Sequence, residues 1–384
     1  MRHPHRGADA SAPLNDPPCH PERSEGSASS GLLNEFGWND AVATAFADTA
    51  EADDVPARVV AVHRNRIDVV TNAGERSATL EPQLLRADAE DRPATGDWIV
   101  LRTDASGSAV RARAVFARRT AFVRGAAGEK AVAQVVAANM DLVLIVMALP
   151  HDVNDRRLER YLALAWESGA VPAVVLTKCD LVHDVAEQQA RVRALTPGAE
   201  VVAVSATSDD GLHALWSLMA PGCTVALLGS SGVGKSTLVN RLAGRAVMRT
   251  ADVDRDGRGR HTTTHRQLAQ LGNGVLVIDT PGMREIQLWS ADAGLEQVFD
   301  DIATLSESCR FGDCRHEREP GCAVTDAVTA GTMAPERLAS WRKLMREAAR
   351  AHAQGDAVAA SAERARLRTL MRAVRVHVKA KHDR

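Results

Sequence analysis

The stretch LLGSSGVGKSTLVN, Leu227–Asn240, decides the fold of this chain. Its segment Gly229–Ser236 satisfies the pattern G-x-x-x-x-G-K-[ST] of a phosphate-binding loop. The glycines let backbone N–H groups converge on phosphate oxygens, the lysine reaches the β- and γ-phosphates, and the last serine binds Mg²⁺. An apolar run before the loop and a helical pattern after it predict the strand and the helix N-terminus that such a loop requires. The predicted phosphate-binding residues are Gly229, Ser230, Ser231, Gly232, Val233, Gly234, Lys235, Ser236 and Thr237.

A second group of polar residues follows the next apolar run, VLVIDTPG. Asp279 ends that predicted strand and can hold Mg²⁺, while the N–H of Gly282 can meet the γ-phosphate. Between the two motifs lies DRDGRGRHTTTH, in which one of the three threonines can supply a second Mg²⁺ hydroxyl. The magnesium ligands are therefore predicted as Ser236, Asp279 and one of Thr262, Thr263 and Thr264, with Thr263 taken as the ligand.

The stretch VVLTKCDL, Val174–Leu181, predicts which base the site reads. Asp180 can accept both the N1–H and the exocyclic amine of guanine, which adenine does not offer, and the stem of Lys178 can pack along the ring. Ser205 and Ala206 end the next strand, where a backbone N–H can meet guanine O6; Thr177 completes the predicted base site. These elements favour GTP over the alternative of a metabolic P-loop ATPase or kinase.

The strand pattern predicts an α/β protein in which buried parallel strands alternate with helices. The strands MDLVLIVMAL, VPAVVLTK, EVVAVSA, CTVALLG and GVLVIDT carry the polar motifs at their ends, where an open α/β sheet binds its ligands. The helix NDRRLERYLALAWESG has Asn154 or Asp155 as its cap and Gly169 as its stop. Short strands from Pro56 to about Ala121, with a turn at Asn72–Gly74, predict a barrel of OB type.

Bulk composition limits the classes of partner. The chain has 384 residues, is 45% hydrophobic and 25% charged, and carries a net charge of −2. No global field points to nucleic acid or membrane, so such a partner would need a local patch. The longest apolar run, from Leu142, is too short to span a bilayer. Six cysteines without a disulfide pattern favour a reducing compartment, so we expect a cytoplasmic protein without a membrane partner.

Four candidate metal ligands lie within the stretch CRFGDCRHEREPGC near the C-terminal end. Three thiolates and one imidazole in one short loop are typical of a tetrahedral structural Zn²⁺ site, with all four positions filled by protein. The predicted ligands are Cys309, Cys314, His316 and Cys322, and the metal is expected once per chain. The last segment, RARLRTLMRAVRVHVKAKHDR, is locally basic, which by itself is typical of a solvated helix face.

The motif order TKCD, SA, GSSGVGKS, HTTT, DTPG resembles that of the circularly permuted GTPases, in which the base reader precedes the phosphate loop. From about Phe36 onward the chain resembles the RsgA family (also called YjeQ or YloQ), through GDWIVL, NMDLVLIV, RLERYLALA, GRHTTTH and the cysteine cluster. The resemblance implies a GTPase core with an N-terminal OB-type barrel and a C-terminal zinc-binding helical domain. Two departures from Ras-like GTPases stand out: Thr177 replaces the usual Asn, and Met283 replaces the Gln that orients the attacking water.

The resemblance also implies function. A family member hydrolyses GTP to GDP and phosphate late in maturation of the small (30S) ribosomal subunit, and the subunit stimulates this GTPase activity. The resemblance indicates His261 as the catalytic candidate. The implied partners are the small subunit, its 16S rRNA and GTP or GDP, bound by a monomer. The alternative is a GTP-gated RNA- or ribosome-binding module whose hydrolysis is incidental. The predicted domains are a disordered extension (1–50), the barrel (51–128), the permuted GTPase domain (129–290) and the zinc-binding domain with a basic C-terminal helix (291–384).

Overall fold

The computed structural model describes residues 31–103, 110–125, 133–149, 151–248, 267–279 and 292–350. Its N-terminal part is a closed five-stranded barrel. Its strands are β1 (Asp54–Val62), β2 (Ile67–Thr71), β3 (Gly74–Leu80), β4 (Trp98–Thr103) and β5 (Val110–Val115). They pair in the order β1-β2-β3-β5-β4, and β4 closes the barrel by pairing with β1. The pairing of β3 with β5 is parallel and the others are antiparallel. The expected OB-type barrel is therefore confirmed.

Alternation of side chains explains why these short strands close on themselves. Val59, Ile67, Val69, Ile99 and Leu101 point into the barrel and are all buried. Because successive residues of a strand face opposite sides, their neighbours Val70 and Val100 point out of the barrel, where they are buried in the apolar cluster that contains Leu33 and Val42. A short helix, α3 (Pro82–Arg86), lies between β3 and β4, and a two-stranded hairpin, β6 (Ala121–Gly125) with β7 (Ala133–Ala138), follows the barrel. The predicted domain boundary at 128/129 lies between these two paired strands.

The second part of the chain builds a mixed sheet from six strands. They are β8 (Leu142–Ala148), β9 (Val171–Thr177), β10 (Glu200–Ala203), β11 (Thr224–Leu228), β12 (Gln267–Gln270) and β13 (Leu276–Asp279). The order is β10-β9-β8-β11-β13-β12; all neighbours are parallel except β12, which is antiparallel to β13. The carboxyl ends of the five parallel strands therefore meet along one edge of the sheet.

Helices cover the sheet and bury its two faces separately. They are α4 (Asp155–Glu167), α5 (Val185–Leu195), α6 (Leu212–Trp216) and α7 (Lys235–Ala243). In β8, Val143 and Ile145 belong to the apolar cluster that contains residues of α4, whereas Leu144 and Val146 belong to the cluster that contains residues of α6 and α7. Strands that are buried on both faces read as continuous apolar runs, and this is why the sequence showed no alternation here.

The predicted caps of α4 are present. Asn154 stands at the N-cap, where its side chain accepts a hydrogen bond from the N–H of Arg157 at 3.1 Å. Gly169 follows the C-cap with a φ of 82°, a left-handed conformation that glycine adopts without strain. The helix is thereby fixed at both ends by the residues that the sequence indicated.

Residues 31–50 of the predicted disordered extension are ordered, so the prediction of disorder is wrong for them. Two helices occupy this segment, α1 (Leu32–Glu35) and α2 (Asp40–Thr49). Leu33 is buried and its N–H donates to Oδ1 of Asn72 at 3.1 Å. Trp38 packs edge-on against Trp98 with ring centroids 5.3 Å apart. Helices this short are held by tertiary packing, which local sequence does not reveal.

The barrel and the sheet meet at a buried arginine on β1. The side chain of Arg58 donates to the carbonyls of Phe36 (3.3 Å) and Asn139 (3.2 Å) and to the hydroxyl of Thr224 (3.2 Å). Its guanidinium lies 4.8 Å from the ring centroid of Trp98. Burial lowers the pKa of Arg58 to about 10, so the group is still charged at neutral pH. Next to it, β1 pairs with β12 at Ala61 and Gln267, which joins barrel and core sheet into one hydrogen-bonded surface.

The C-terminal part is helical. It contains α8 (Asp292–Val298), α9 (Asp300–Ser306), α10 (Ala323–Thr329) and a helix over residues 335–350, where the described range ends. Helix α8 packs on α4, and the Cys/His stretch lies between α9 and α10. The predicted basic C-terminal helix lies outside the described residues. Among the residues that the structure describes, no helix combines the length and the apolar character needed to cross a membrane.

Candidate nucleotide-binding site and metal centre

The phosphate loop connects β11 to α7 at the carboxyl edge of the sheet. Gly229, Gly232 and Gly234 have φ angles of 150°, 80° and 97°, which side-chain-bearing residues rarely adopt. A Cβ atom on Gly229 would also lie less than 3.0 Å from the carbonyl oxygen of Val146, at the end of β8. The loop therefore depends on glycine for its curvature and for its close approach to the neighbouring strand.

Lys235 begins α7 and turns back over the loop. Its Nζ donates to the carbonyl oxygens of Gly229 at 2.7 Å and Ser230 at 2.6 Å. Ser236 and Thr237 follow in the first turn of the same helix, Ser236 half-buried and Thr237 exposed. An ammonium group and a helix N-terminus at one loop form a favourable environment for phosphate oxygens.

The predicted base reader is attached directly to the phosphate loop. The hydroxyl of Thr177, at the end of β9, is buried; it lies 2.5 Å from the carbonyl oxygen of Val233, to which it donates, and 3.3 Å from that of Met147. Lys178 has a left-handed φ of 59°, and its Nζ donates to the carbonyl oxygen of Gly232 at 3.0 Å. Both predicted base-site residues thus hold the backbone of the loop that the phosphates would occupy.

Asp180 is exposed, in a short 3-10 turn over Cys179–Leu181. The N–H of Cys179 donates to the carbonyl of Val204 at 3.3 Å, so the turn is tied to the end of β10, where Ser205 and Ala206 follow. The carboxylate of Asp180 is accessible to a base at this edge of the sheet.

Ser205 organises the next loop internally. It is fully buried, and its Oγ accepts from the N–H groups of Thr207 and Ser208, each at 3.2 Å. Its own N–H donates to the carbonyl of Asp210 at 2.9 Å. The side chain of Ser205 is therefore used to shape the turn that presents Ala206. Sequence reasoning did not find the role of Asp210, because a carbonyl acceptor leaves no trace in residue type.

Four of the predicted residues are not fully described. The backbone of Asp279 ends β13, paired with Gln267, but its side chain lies outside the described residues. His261, Thr263 and Gly282 also lie outside them. Their predicted roles in binding magnesium, the γ-phosphate and the attacking water stay predictions.

The four predicted metal ligands come together. The donor atoms of Cys309, Cys314, His316 and Cys322 all lie within 4.8 Å of one another. Nδ1 of His316 is 3.4 Å from Sγ of Cys322 and 3.6 Å from Sγ of Cys309, and the two sulfurs are 3.9 Å apart. A tetrahedral Zn²⁺ with bonds of about 2.3 Å to sulfur and about 2.0 Å to nitrogen has edges of this length, so the donor set fits that ion.

Local structure prepares two of these ligands. His316 is buried with a φ of 56°, and its ring packs on Trp341 with centroids 5.3 Å apart. Cys322 stands at the N-cap of α10, where its Sγ accepts from the N–H of Thr325 at 3.5 Å. Burial raises the pKa of the Cys322 thiol, but hydrogen bonds with Thr325, His316 and Cys314 together outweigh burial and lower this pKa to about 6. The thiolate that metal binding requires is thereby favoured.

A phosphate loop that lies downstream of its own base-reading strand, on a parallel α/β sheet, defines a circularly permuted GTPase. The family model described as RsgA GTPase matches residues 115–289. The chain belongs to the RsgA family of GTPases.

Similar curated proteins cover most of the chain. A protein of Opitutus terrae is 47% identical over 87% of this chain and 94% of its own length. One of Streptomyces coelicolor is 45% identical over 85% of this chain and 89% of its own. Both are named small ribosomal subunit biogenesis GTPase RsgA.

Solved structures show the same fold. YjeQ from Thermotoga maritima has a TM-score of 0.57 at 24% identity and covers 77% of this chain and 98% of its own. YloQ, titled a circularly permuted GTPase, has a TM-score of 0.53 at 20% identity and covers 77% of this chain and 95% of its own. The predicted fold class is confirmed by these similarities and by the barrel.

Proposed function

We propose that this chain binds GTP at the carboxyl edge of the core sheet and hydrolyses it to GDP and phosphate during maturation of the small ribosomal subunit. The observation that carries the proposal is the pair of hydrogen bonds from Thr177 to Val233 and from Lys178 to Gly232. They join the guanine-reading element to the phosphate loop, as one nucleotide site requires. Relatives that cover most of the chain carry names assigning them to biogenesis of the small ribosomal subunit.

The base and the phosphates have separate proposed contacts. Asp180 accepts from guanine N1–H and the exocyclic amine, and the N–H of Ala206 donates to O6. Lys235 and the N–H groups of the loop surround the β- and γ-phosphates. Because the carboxylate of Asp180 would be left unpaired against adenine, the site selects GTP over ATP.

The chain's own residues would hold magnesium and the attacking water. Ser236, Asp279 and Thr263 are the proposed ligands of Mg²⁺, which when bound neutralises charge on the β- and γ-phosphate oxygens. Met283 has no group that orients water, so we assign that task to His261. Intrinsic turnover is then slow, and docking on the subunit accelerates it by placing His261 near the γ-phosphate.

The Cys309/Cys314/His316/Cys322 cluster is the proposed holder of one structural zinc ion. All four coordination positions come from protein, which leaves none for a reacting water. We further propose that the protein acts as a cytoplasmic monomer and contacts 16S rRNA. The basic segment 364–384 would bind the phosphates of the rRNA.

GTP turnover measured with and without purified small subunits tests the proposal. We expect slow turnover alone and stimulation by several orders of magnitude with subunits. Equal turnover in both conditions would contradict it and favour a GTP-gated binding module with incidental hydrolysis. His261→Ala should lose most of the stimulation yet keep GTP affinity and the basal rate, whereas Lys235→Ala should lower affinity and both rates. Full stimulation of the His261→Ala protein would remove His261 from the mechanism.

A further inference from the structure

A buried carboxylate on the GTPase core has both of its oxygens engaged by the C-terminal part of the chain. Glu159 lies on α4 and is only 4% exposed. Its Oε1 accepts from Nη1 of Arg337 at 2.8 Å, and its Oε2 accepts from the hydroxyl of Ser340. Arg337 and Ser340 both belong to the helix over residues 335–350. A buried carboxylate is costly unless it is fully paired, so Glu159 is committed to this helix.

The partner arginine is itself at the centre of a cluster. Arg337 also donates to both carboxylate oxygens of Asp301 on α9, at 2.9 and 2.8 Å, and to the carbonyl of Val298 at 2.7 Å. Its guanidinium lies 4.5 Å from the ring centroid of Phe299. Burial lowers the pKa of Arg337, but the bonds to Asp301 and Glu159 outweigh it, so the pKa is raised and the cation persists. Arg337 thus contacts four helices: α4, α8, α9 and its own.

The same helix holds a ligand of the metal cluster. Trp341, which directly follows Ser340, packs against the ring of His316, and Arg342 donates to the backbone oxygen of His316. Further along the helix, Glu347 forms an ion pair with Arg160, the neighbour of Glu159 on α4. The helix therefore contacts α4 on both sides of Trp341 and Arg342, through Arg337 and Ser340 before them and Glu347 after them.

We infer that Glu159 is a positioning residue that couples metal occupancy of the Cys309/Cys314/His316/Cys322 cluster to attachment of the C-terminal helices on the GTPase core. Metal binding fixes His316 and, through Trp341 and Arg342, the helix over residues 335–350. Seating of that helix on Glu159 fixes the same contacts from the other side. Metal binding and attachment of this helix to α4 require the same arrangement of the helix, so each favours the other, and their coupling is reciprocal. The inference rests on the proposed metal site and is independent of the GTPase cycle.

Zinc affinity of the full-length protein tests one direction of this coupling. Glu159→Gln keeps the shape of the side chain, but its amide nitrogen is no acceptor, so either Nη1 of Arg337 or the hydroxyl of Ser340 loses its bond to this residue. In competition with a chromophoric zinc chelator, we expect its zinc affinity to fall about tenfold, within the range of ordinary coupling between sites. Glu296→Gln, an exposed glutamate on α8, is the matched control and should keep wild-type affinity. GTP affinity should stay within about twofold in both proteins.

Hydrogen exchange tests whether metal occupancy in turn affects the attachment of the C-terminal helices to α4. A merely stabilising role of Glu159 would not make exchange in α4 respond to zinc. In the wild-type protein, removal of zinc should speed amide exchange in α4, residues 155–167, and in the Glu159→Gln protein α4 should exchange equally fast with and without zinc. Wild-type zinc affinity in the variant, or α4 exchange that ignores zinc in the wild type, overturns the inference while the metal site stands. Absence of zinc binding by the wild type overturns both. If Glu159→Gln does not fold, Ser340→Ala removes one donor of the cluster and is held to the same outcomes.

Discussion

The hydroxyl of Thr177 donates to the carbonyl oxygen of Val233 at 2.5 Å, so the strand that ends in the proposed base reader is bonded directly to the phosphate loop. Thr177→Val keeps the shape of the side chain and removes the donor. Loss of one buried neutral hydrogen bond costs about 1 kcal/mol, so GDP affinity should fall about fivefold in a fluorescence titration. Thr177→Ser keeps the hydroxyl and should bind nearly as the wild type does. Equal affinities of the two variants would show that this bond does not order the site.

Gly229 and Gly232 provide a matched pair within the loop. An alanine Cβ at Gly229 would collide with the carbonyl of Val146, whereas at Gly232 it would meet nothing within 4 Å. Gly232→Ala should weaken the free energy of nucleotide binding only by the strain of a left-handed residue, about 1–2 kcal/mol. Gly229→Ala should lower nucleotide affinity by a further factor on the order of ten, because the loop must move away from β8. Isothermal titration with GDP compares the two, and the reverse ranking would contradict the described curvature of the loop.

Asp180 is the residue proposed to select the base. In Asp180→Asn an amide cannot accept from both guanine donors, so GTP affinity should fall about thirtyfold, equivalent to roughly 2 kcal/mol. Xanthosine triphosphate should regain part of the affinity, since its C2 carbonyl accepts from the new amide. Asp184→Asn, an exposed aspartate in the same segment, should alter neither value. Competition between the two nucleotides measures the preference, and unchanged GTP affinity in the Asp180 variant removes this residue from the site.

The cysteine cluster should hold metal in purified protein. Elemental analysis should find about one zinc per chain, and Cys314→Ser should lose it and become more sensitive to protease between α9 and α10. Cys179→Ser changes a cysteine outside the cluster and should keep the metal. A native protein without zinc would exclude this identity for the bound ion.

Sequence patterns that act locally predicted most of the fold. The glycines of the phosphate loop, the cap at Asn154 and the stop at Gly169 each act within a few residues, so their signal is complete in the sequence. The barrel strands were equally readable, because short apolar runs with turn signals between them are typical of such strands. The cluster around His316 was visible because its members are chemically specific and close in the chain.

The missed features depend on partners distant in the chain. Arg58 and Glu159 are charged residues that read as surface positions, yet both are buried against segments many residues away. The ordering of Leu33 depends on Asn72, and the pairing of β1 with β12 joins Ala61 to a strand two hundred residues later. Local propensity carries no information on such contacts, so the sequence did not predict the packing of residues 31–50 on the barrel.

Arg58 gives a stability prediction. Arg58→Met fills similar volume but leaves three buried acceptors, on Phe36, Asn139 and Thr224, without their donor. An unsatisfied buried polar group costs about 1–3 kcal/mol, so the free energy of unfolding should fall by about 3 kcal/mol or more. Arg64→Met, at an exposed position in the same hairpin, should change it by less than about 0.5 kcal/mol. Urea unfolding followed by circular dichroism provides the values. Equal midpoints for the two variants would contradict the stabilising role of Arg58 between the barrel and the core sheet.

The pairing of Ala61 with Gln267 also bears on how this protein avoids aggregation. An uncovered outer strand offers its free N–H and C=O groups to any extended chain nearby, and proteins have to shield it. Here β12 lies between β13 and the first strand of the barrel, and the barrel covers it where Gln267 pairs with Ala61. A shortened chain that begins after the barrel would expose β12 and remove the arginine that holds Thr224. The barrel thus protects an otherwise exposed strand of the catalytic core of its own chain from pairing with other chains, in addition to any ligand that it binds.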